Sequence, residues 1–192
     1  MKLFNKKKLI IAIILVIVGI IYRLFLTDIP NVEPITAIAL IAGSMLGGYY
    51  TFCIPLAIVV ITDMYIGNNI IFLYTWSAWA LMGWCGWLLR NRKKNIWKHS
   101  LELTGMSLFS STFFFLWTNF GVWQAWKLYP KTWPGLISCY IAGLPFFRNN
   151  ILSNLMIVFI FSVIFLSVWN YFPFLIKNSL QLKEKIKITL FK

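Results

Sequence analysis

The first long apolar stretch, residues 9–26, reads LIIAIILVIVGIIYRLFL and follows the cationic triplet Lys6, Lys7 and Lys8. A helix that crosses the hydrocarbon core of a bilayer needs about 20 largely apolar residues, with roughly 17–25 tolerated. A secretory signal peptide also begins with cations and an apolar core, but a cleavage site of small residues then follows. Tyr22 and Arg23 stand where such a site is expected. We therefore expect this stretch to be a membrane-spanning helix and not a cleaved signal.

The composition of the whole chain agrees with that prediction. Of its 192 residues, 60% are apolar, 18% aromatic and only 12% charged. A soluble domain is roughly 45–50% apolar and about 25% charged, so this chain has too few polar side chains to cover a globule in water. Disordered chains are poor in aromatic residues and rich in charge, which excludes that class too. The length allows one integral membrane domain of about six spans.

Five further apolar stretches complete the predicted fold, which is an all-α, polytopic membrane helix bundle. The six predicted spans are residues 9–26, 35–49, 51–66, 70–89, 101–117 and 151–176. A mixed outer segment, residues 118–150, contains Pro130, Pro134 and Pro145. Its apolar piece, residues 135–147, is too short to span and predicts an interfacial or re-entrant helix before the last span. A basic inner tail, residues 177–192, ends the single predicted domain.

The cations predict the orientation of this bundle. Most of the 18 lysines and arginines lie in three groups: near the N-terminus, in residues 90–98, and after residue 176. Six spans bring these groups to one side of the membrane, and the positive-inside rule makes that side cytoplasmic. We expect a multi-pass protein of the cell (cytoplasmic) membrane with both termini inside. Because the cations sit at span ends, the net charge of +13 does not indicate a nucleic-acid partner.

The sequence contains no set of residues typical of catalysis or of a metal centre. His99 is the only histidine and lies near the inner basic loop, and the three cysteines are widely spaced. No phosphate-binding loop, GxGxxG or HExxH pattern occurs. We therefore expect no enzyme, no catalytic residue, no metal and no cofactor.

The remaining polar residues collect on the predicted outer side. Asp63 lies inside an apolar run, where a carboxylate costs about 2.5–3.5 kcal/mol at the bilayer centre and less near an interface. Asp63 is therefore either a functional intramembrane acid or a residue at headgroup level that caps the turn at Gly67. Arg148 is an outer cation that follows a long apolar stretch. Its partner is expected to be Asp63, Glu33 or an anionic solute.

Ten tryptophans are many for a chain of this length. Aromatic belts at the membrane interfaces explain most of them. The alternative is that some line a ligand pocket, since such pockets are mainly apolar with a few placed polar groups. Trp123 and Trp126 are the better candidates for a pocket, because they lie beside Asn119 and Gln124.

Three stretches carry a resemblance to a known family. They are PNVEPITAIAL at 30–40, TNFGVW at 118–123, and the run from Tyr129-Pro130 to GLPFFRN at 143–149. Asp63 and Gly67, at the end of the third span, match the same pattern. Over most of residues 28–160 the chain resembles an uncharacterised bacterial family of six-helix membrane proteins. That family is similar to the substrate-binding S components of energy-coupling-factor (ECF) transporters.

The resemblance implies a six-helix bundle with both ends inside and a pocket near the outer face, covered by loops. S components bind a vitamin or a metal ion there and deliver it together with an energising module. Many of them carry an Ala-x-x-x-Ala step in the first helix for docking, whereas the first span here has Ala12 but no such step. Both a partnership with an energising transporter module and a transporter that acts alone therefore remain open.

The sequence as a whole favours binding and uptake of a small solute, a vitamin or another micronutrient, in the manner of an S component. The alternatives are a non-transporting scaffold subunit of a membrane complex and, less favoured, a membrane enzyme. The expected partners are the lipid bilayer, a small-molecule ligand and an energising module. The predicted ligand-binding residues are Asn31, Glu33, Asp63, Asn119, Trp123, Tyr129, Arg148 and Asn149.

Overall fold

The computed structural model describes residues 6–25, 34–90 and 95–190, with side chains up to residue 171. Over these ranges the chain is all-α, with six α-helices, one π-helical turn and no strand. The helices are α1 (Lys6–Phe25), α2 (Ile35–Ile41), α3 (Tyr50–Ile66), α4 (Phe72–Leu88), α5 (Ile96–Ala125) and α6 (Trp133–Leu190), and the π-helical turn Ala42–Leu46 follows α2. They form a helical bundle, as the sequence predicts.

The prediction for residues 118–150 is wrong. This segment is not a mixed loop with a separate short helix, because α5 continues to Ala125 and α6 begins at Trp133. Pro134 lies in the first turn of α6, where a missing backbone N–H costs nothing. Thr132 caps that turn, since its hydroxyl accepts a hydrogen bond from the Gly135 N–H at 3.3 Å. Pro145 lies inside α6, and membrane helices tolerate such prolines when neighbouring groups satisfy the backbone.

The short helix α2 lies at the centre of the bundle. All seven of its residues are buried, and it contacts α1, α3, α4, α5 and α6. A helix that is apolar on every side is expected in such a position. Close approach to α4 requires glycine: a Cβ on Gly86 would lie 2.2 Å from the Leu40 carbonyl oxygen, and one on Gly43 would lie 2.0 Å from the Gly83 carbonyl oxygen.

Two glycines that follow α2 have different roles. Gly43 packs against α4 within the chain. Gly47 instead ends the π-helical turn, with φ of +62°. Glycine adopts that left-handed conformation without the penalty that a Cβ brings.

The outer surface of the bundle is apolar, whereas many polar side chains are inside. Large apolar residues are exposed along α1, α3, α4, α5 and α6, among them Ile10, Ile61, Leu73, Phe109 and Ile160. Buried polar residues include Thr36, Ser44, Ser107, Ser111, Asn154 and Ser162. Soluble monomers rarely expose contiguous apolar patches of more than a few hundred Å². An apolar exterior around a partly polar interior is the arrangement that a lipid solvent favours.

Two helices of the described chain are long and apolar enough to cross a bilayer: α1, and α6 over Trp133–Tyr171. The stretches Ile35–Leu46 and Tyr50–Ile66 are apolar but shorter. Length and composition thus support association with a membrane.

Candidate functional site

A buried ion pair joins α1 to α3 near the end of the bundle where α3 stops. Arg23 Nη1 donates to Asp63 Oδ1 at 2.6 Å, and the two side chains are only 16% and 10% exposed. Arg23 also donates to the Thr62 hydroxyl and, at 3.5 Å, to the Val59 carbonyl oxygen. The guanidinium therefore ties the last turn of α1 to the last two turns of α3.

The second carboxylate oxygen of Asp63 binds α4. Trp76 Nε1 donates to Asp63 Oδ2 at 2.7 Å, so one carboxylate holds three helices together. The side chain does not cap the turn at Gly67, since there the Gly67 N–H donates to the Asp63 backbone oxygen at 3.0 Å. Of the three partners considered for Arg148, Asp63 is paired instead with Arg23. Asp63 is thus a largely buried acid with a structural partner.

A cavity of about 340 Å³ lies at the turn between α5 and α6. It is lined by Phe120, Trp123, Lys131, Thr132, Trp133 and Leu136. Three aromatic rings, one ammonium and one hydroxyl converge here, which is the composition of a pocket for a small solute. We call it the turn cavity.

Lys131 fixes the shape of the turn cavity. Its ammonium donates to the carbonyl oxygens of Trp123, Gln124 (3.0 Å) and Trp126 (2.9 Å). The last carbonyl groups of a helix have no intrahelical partner and carry partial negative charge, so a cation stabilises this end of α5. The same ammonium lies 5.4 Å from the centroid of the Trp123 ring. Trp123 Nε1 in turn donates to the Pro130 carbonyl oxygen at 2.9 Å, which closes the turn.

An aromatic row leads away from the turn cavity along α5. The ring of Trp123 lies 5.7 Å from that of Phe120, and Phe120 stacks on Trp117 at 6.1 Å. Tyr74 of α4 contacts both Trp117 and Phe120. Gly121 allows this approach, because a Cβ there would lie 2.5 Å from the Tyr74 ring. The row joins the wall of the turn cavity to α4, the helix that also holds Asp63 through Trp76.

The structure brings together only some of the predicted ligand-binding residues. Trp123 lines the turn cavity and half-buried Tyr129 lies in the same turn. Asn119 lies one turn before Trp123 on α5, and its side-chain amide donates to the Phe115 carbonyl oxygen at 2.8 Å. The predicted pair Asn31 and Glu33 lies outside the described residues.

Arg148 and Asn149 do not join this group. Both are exposed on α6, next to Phe147, whose ring stacks on Phe115 at 4.5 Å. Asn150, the following residue, is the buried one of this run. Sequence reasoning missed Arg23, Trp76, Lys131 and Trp133. The abundance of tryptophans, which include Trp76 and Trp133, and the charge of Arg23 within an apolar stretch are the features of the sequence that could have identified these residues.

A second group of polar side chains lies between α5 and α6. Asn154 donates to the Ser111 hydroxyl at 2.9 Å and to Asn150 Oδ1 at 3.1 Å. Asn154 Oδ1, Ser100 Oγ and Ser110 Oγ are buried without a hydrogen-bond partner in the described chain. Polar side chains between apolar helices promote helix association in a bilayer. The described residues contain no group of three or more His, Cys, Asp or Glu side chains that could hold a metal ion.

Comparison with known proteins identifies a family but no function. A model of a family of unknown function, DUF6580, matches residues 3–175. The chain belongs to this family. No curated protein and no solved structure matches the chain. The DUF6580 match covers both the Arg23–Asp63–Trp76 group and the turn cavity, so both features lie within the family domain.

Proposed function

We propose that this DUF6580 protein is a multi-pass membrane protein that binds a small solute in the turn cavity and takes part in its uptake. The turn cavity carries the proposal, because three aromatic rings and two polar groups converge on it at one end of the bundle. Such a lining suits a small planar solute, whose faces stack on indole and phenyl rings. The proposal includes no catalytic step.

The charge distribution supports six spans with the turn cavity outside. Lys8 Nζ donates to the Leu46 carbonyl oxygen at 2.7 Å, and Arg90 packs against Gly47. The start of α1 and the end of α4 therefore lie at the same end of the bundle. The positive-inside rule makes this end cytoplasmic, and the opposite end, which holds Asp63 and the turn cavity, faces outwards.

The Arg23–Asp63–Trp76 group has a supporting role in this proposal. It fixes the outer ends of α1, α3 and α4, and Trp117 joins α5 to α4 by donating from Nε1 to Ser77 Oγ at 2.9 Å. A binding wall built on rigid helices keeps its geometry better than one built on loops. Uptake in the manner of an S component, with an energising module or alone, is the transport step that we propose.

Native mass spectrometry of the protein purified in mild detergent tests the binding step. We expect a bound small molecule in the parent and its loss in Trp133→Ala, which removes a ring that is 79% exposed and so leaves the fold intact. Trp97→Ala is the matched control, since Trp97 is 60% exposed and lies at the start of α5, away from the turn. A bare parent chain, or equal occupancy in parent and Trp133→Ala, would contradict the proposal.

Arg148 favours a second candidate function, that of a scaffold subunit in a membrane complex. It is exposed on α6, and Leu144 and Leu152, one turn away on either side, are 50% and 52% exposed. A cation on an apolar, bilayer-facing surface is costly unless an acidic group of a neighbouring chain or a headgroup pairs with it. A scaffold predicts a stoichiometric protein partner that is lost in Arg148→Leu and kept in Trp133→Ala.

A further inference from the structure

A cleft between α1 and α6 opens on the lateral surface of the bundle, near the end opposite the turn cavity. Its volume is about 480 Å³. The walls are apolar, with Ile10, Ile11 and Ile14 on α1 and Phe165 and Val168 on α6. Lys7 and Trp169 complete the lining at one end.

The cleft exists because α1 and α6 do not pack directly on each other. Over the described residues, no Cα atom of α1 comes within 8 Å of one in α6. Side chains bridge the gap at two levels. The Lys7 ammonium lies 5.0 Å from the centroid of the Trp169 ring, and the Tyr22 and Phe161 rings meet edge to face at 5.7 Å. The space between these two contacts is a slot that runs along the helices, in the direction of a lipid chain.

The polar end of the slot has the chemistry of an anionic headgroup site. Lys6 and Lys7 are both exposed on the first turn of α1. The ammonium of Lys8, the next residue, donates a hydrogen bond to the Leu46 carbonyl oxygen. Tryptophan is enriched at the level of lipid headgroups, and each lysine near a membrane surface attracts anionic lipid.

We propose that the α1–α6 cleft is a binding site for an anionic phospholipid of the inner leaflet, with one acyl chain in the slot and the phosphate on Lys7. A membrane helix does not fit this geometry as well, because side chains of α1 and α6 already bridge the gap at the Lys7–Trp169 and Tyr22–Phe161 contacts. The inner leaflet follows from the proposed orientation, whereas lipid binding itself is independent of solute binding in the turn cavity.

Native mass spectrometry of delipidated protein, titrated with phosphatidylglycerol or phosphatidylcholine of identical acyl chains, tests the site. We expect one tightly bound lipid with about a fivefold preference for phosphatidylglycerol, the effect of one lysine at a membrane surface. Lys7→Gln should abolish that preference and leave phosphatidylcholine binding unchanged. Lys127→Gln removes an equal charge at the opposite end of the bundle and should leave both affinities as they are.

A second pair of variants separates the slot from the charge. Ile14→Trp fills the slot and should abolish the tight site for both lipids. Ile13→Trp is the matched control, because Ile13 is 50% exposed on α1 but does not line the cleft. Equal affinity for the two lipids in the parent, or an unchanged tight site in Ile14→Trp, would overturn the proposal. A stoichiometric protein that stays bound to the parent and excludes lipid from it, and that is lost in Ile14→Trp, would overturn the proposal and assign the cleft to a partner helix. Loss of the turn-cavity ligand in Trp133→Ala with lipid binding retained would show that the two sites are separate.

Discussion

Replacement of Asp63 by Asn should destabilise the bundle strongly, although the two side chains have nearly the same shape. The substitution removes the charged partner that Arg23 has in Asp63, while the guanidinium keeps its hydrogen bonds to the Thr62 hydroxyl and the Val59 carbonyl oxygen. Removal of one partner from a buried ion pair costs roughly 3–5 kcal/mol. Because Arg23 keeps 16% of its side-chain surface exposed, we expect the lower end of that range, about 3 kcal/mol. For a chain of this size that corresponds to a fall in melting temperature of about 6–12 °C.

The double variant Arg23→Met/Asp63→Leu provides the test of this reasoning. It removes both charges, and replacement of a buried pair by apolar residues is often neutral. The Trp76 indole N–H then loses its acceptor, which costs about 1–3 kcal/mol. The double variant should therefore have a melting temperature equal to or higher than that of Asp63→Asn. Thermal unfolding in detergent, monitored by tryptophan fluorescence, measures both. A melting temperature of Asp63→Asn within about 2 °C of the parent, or a double variant less stable than Asp63→Asn, would refute a buried, coupled pair.

Three further predictions follow from the packing. Gly86→Ala should lower the free energy of unfolding by about 1–3 kcal/mol, because the new Cβ meets the backbone of α2. Gly105 is exposed, so Gly105→Ala should be neutral or stabilising. Thermal unfolding of the two variants in the same detergent tests this difference. Trp76→Phe should cost about 1.5–3 kcal/mol through loss of a hydrogen bond to a carboxylate, and Trp84→Phe, on an indole that is 42% exposed, should change little in the same assay. Lys131→Met removes the ammonium that stabilises the end of α5, so amide hydrogen exchange in residues 124–132 should accelerate about fivefold. Unchanged exchange would show that the ammonium does not stabilise this turn.

The all-α fold and much of the placement of its helices could be predicted from the sequence, because apolar run length is a strong signal. α1, α3 and α4 begin and end within a few residues of the predicted spans. The signal fails between residues 118 and 150, where three prolines indicate a broken segment. Two of these prolines interrupt no helix, since Pro130 lies in the turn and Pro134 in the first turn of α6. The effect of a proline depends on its position in the helix, which composition alone does not reveal.

The site was harder to predict than the fold. Asp63 was identified as an unusual acid, yet its partner is 40 residues earlier in the chain and on the same side of the bundle. Spacing along the sequence does not encode such a pairing, because it depends on how α1 and α3 pack. Among the residues that line the turn cavity, the sequence alone singles out Trp123, whereas Lys131 and Trp133 join it only because α5 and α6 form a tight hairpin.

Arg148 shows how the fold decides where a side chain lies. As an outer cation beside two asparagines it is predicted at the ligand site, but α6 is helical through this region and leaves Arg148 on the exterior, apart from the turn cavity. Helical periodicity separates Asn150, which is buried, from its exposed neighbours. A loop would have allowed all three side chains to converge, so their separation follows from the helix.

Labelling of introduced cysteines on intact cells tests most directly whether the protein crosses the membrane with the turn cavity outside. The background is Cys53→Ser, because Cys53 is exposed while Cys85 and Cys139 are buried. Leu128→Cys reports on the α5–α6 turn, where Leu128 is 68% exposed, and Trp97→Cys reports on the start of α5. We expect a membrane-impermeant maleimide to label position 128 on intact cells and position 97 only after permeabilisation. The reverse pattern, or equal labelling of both positions on intact cells, would contradict it.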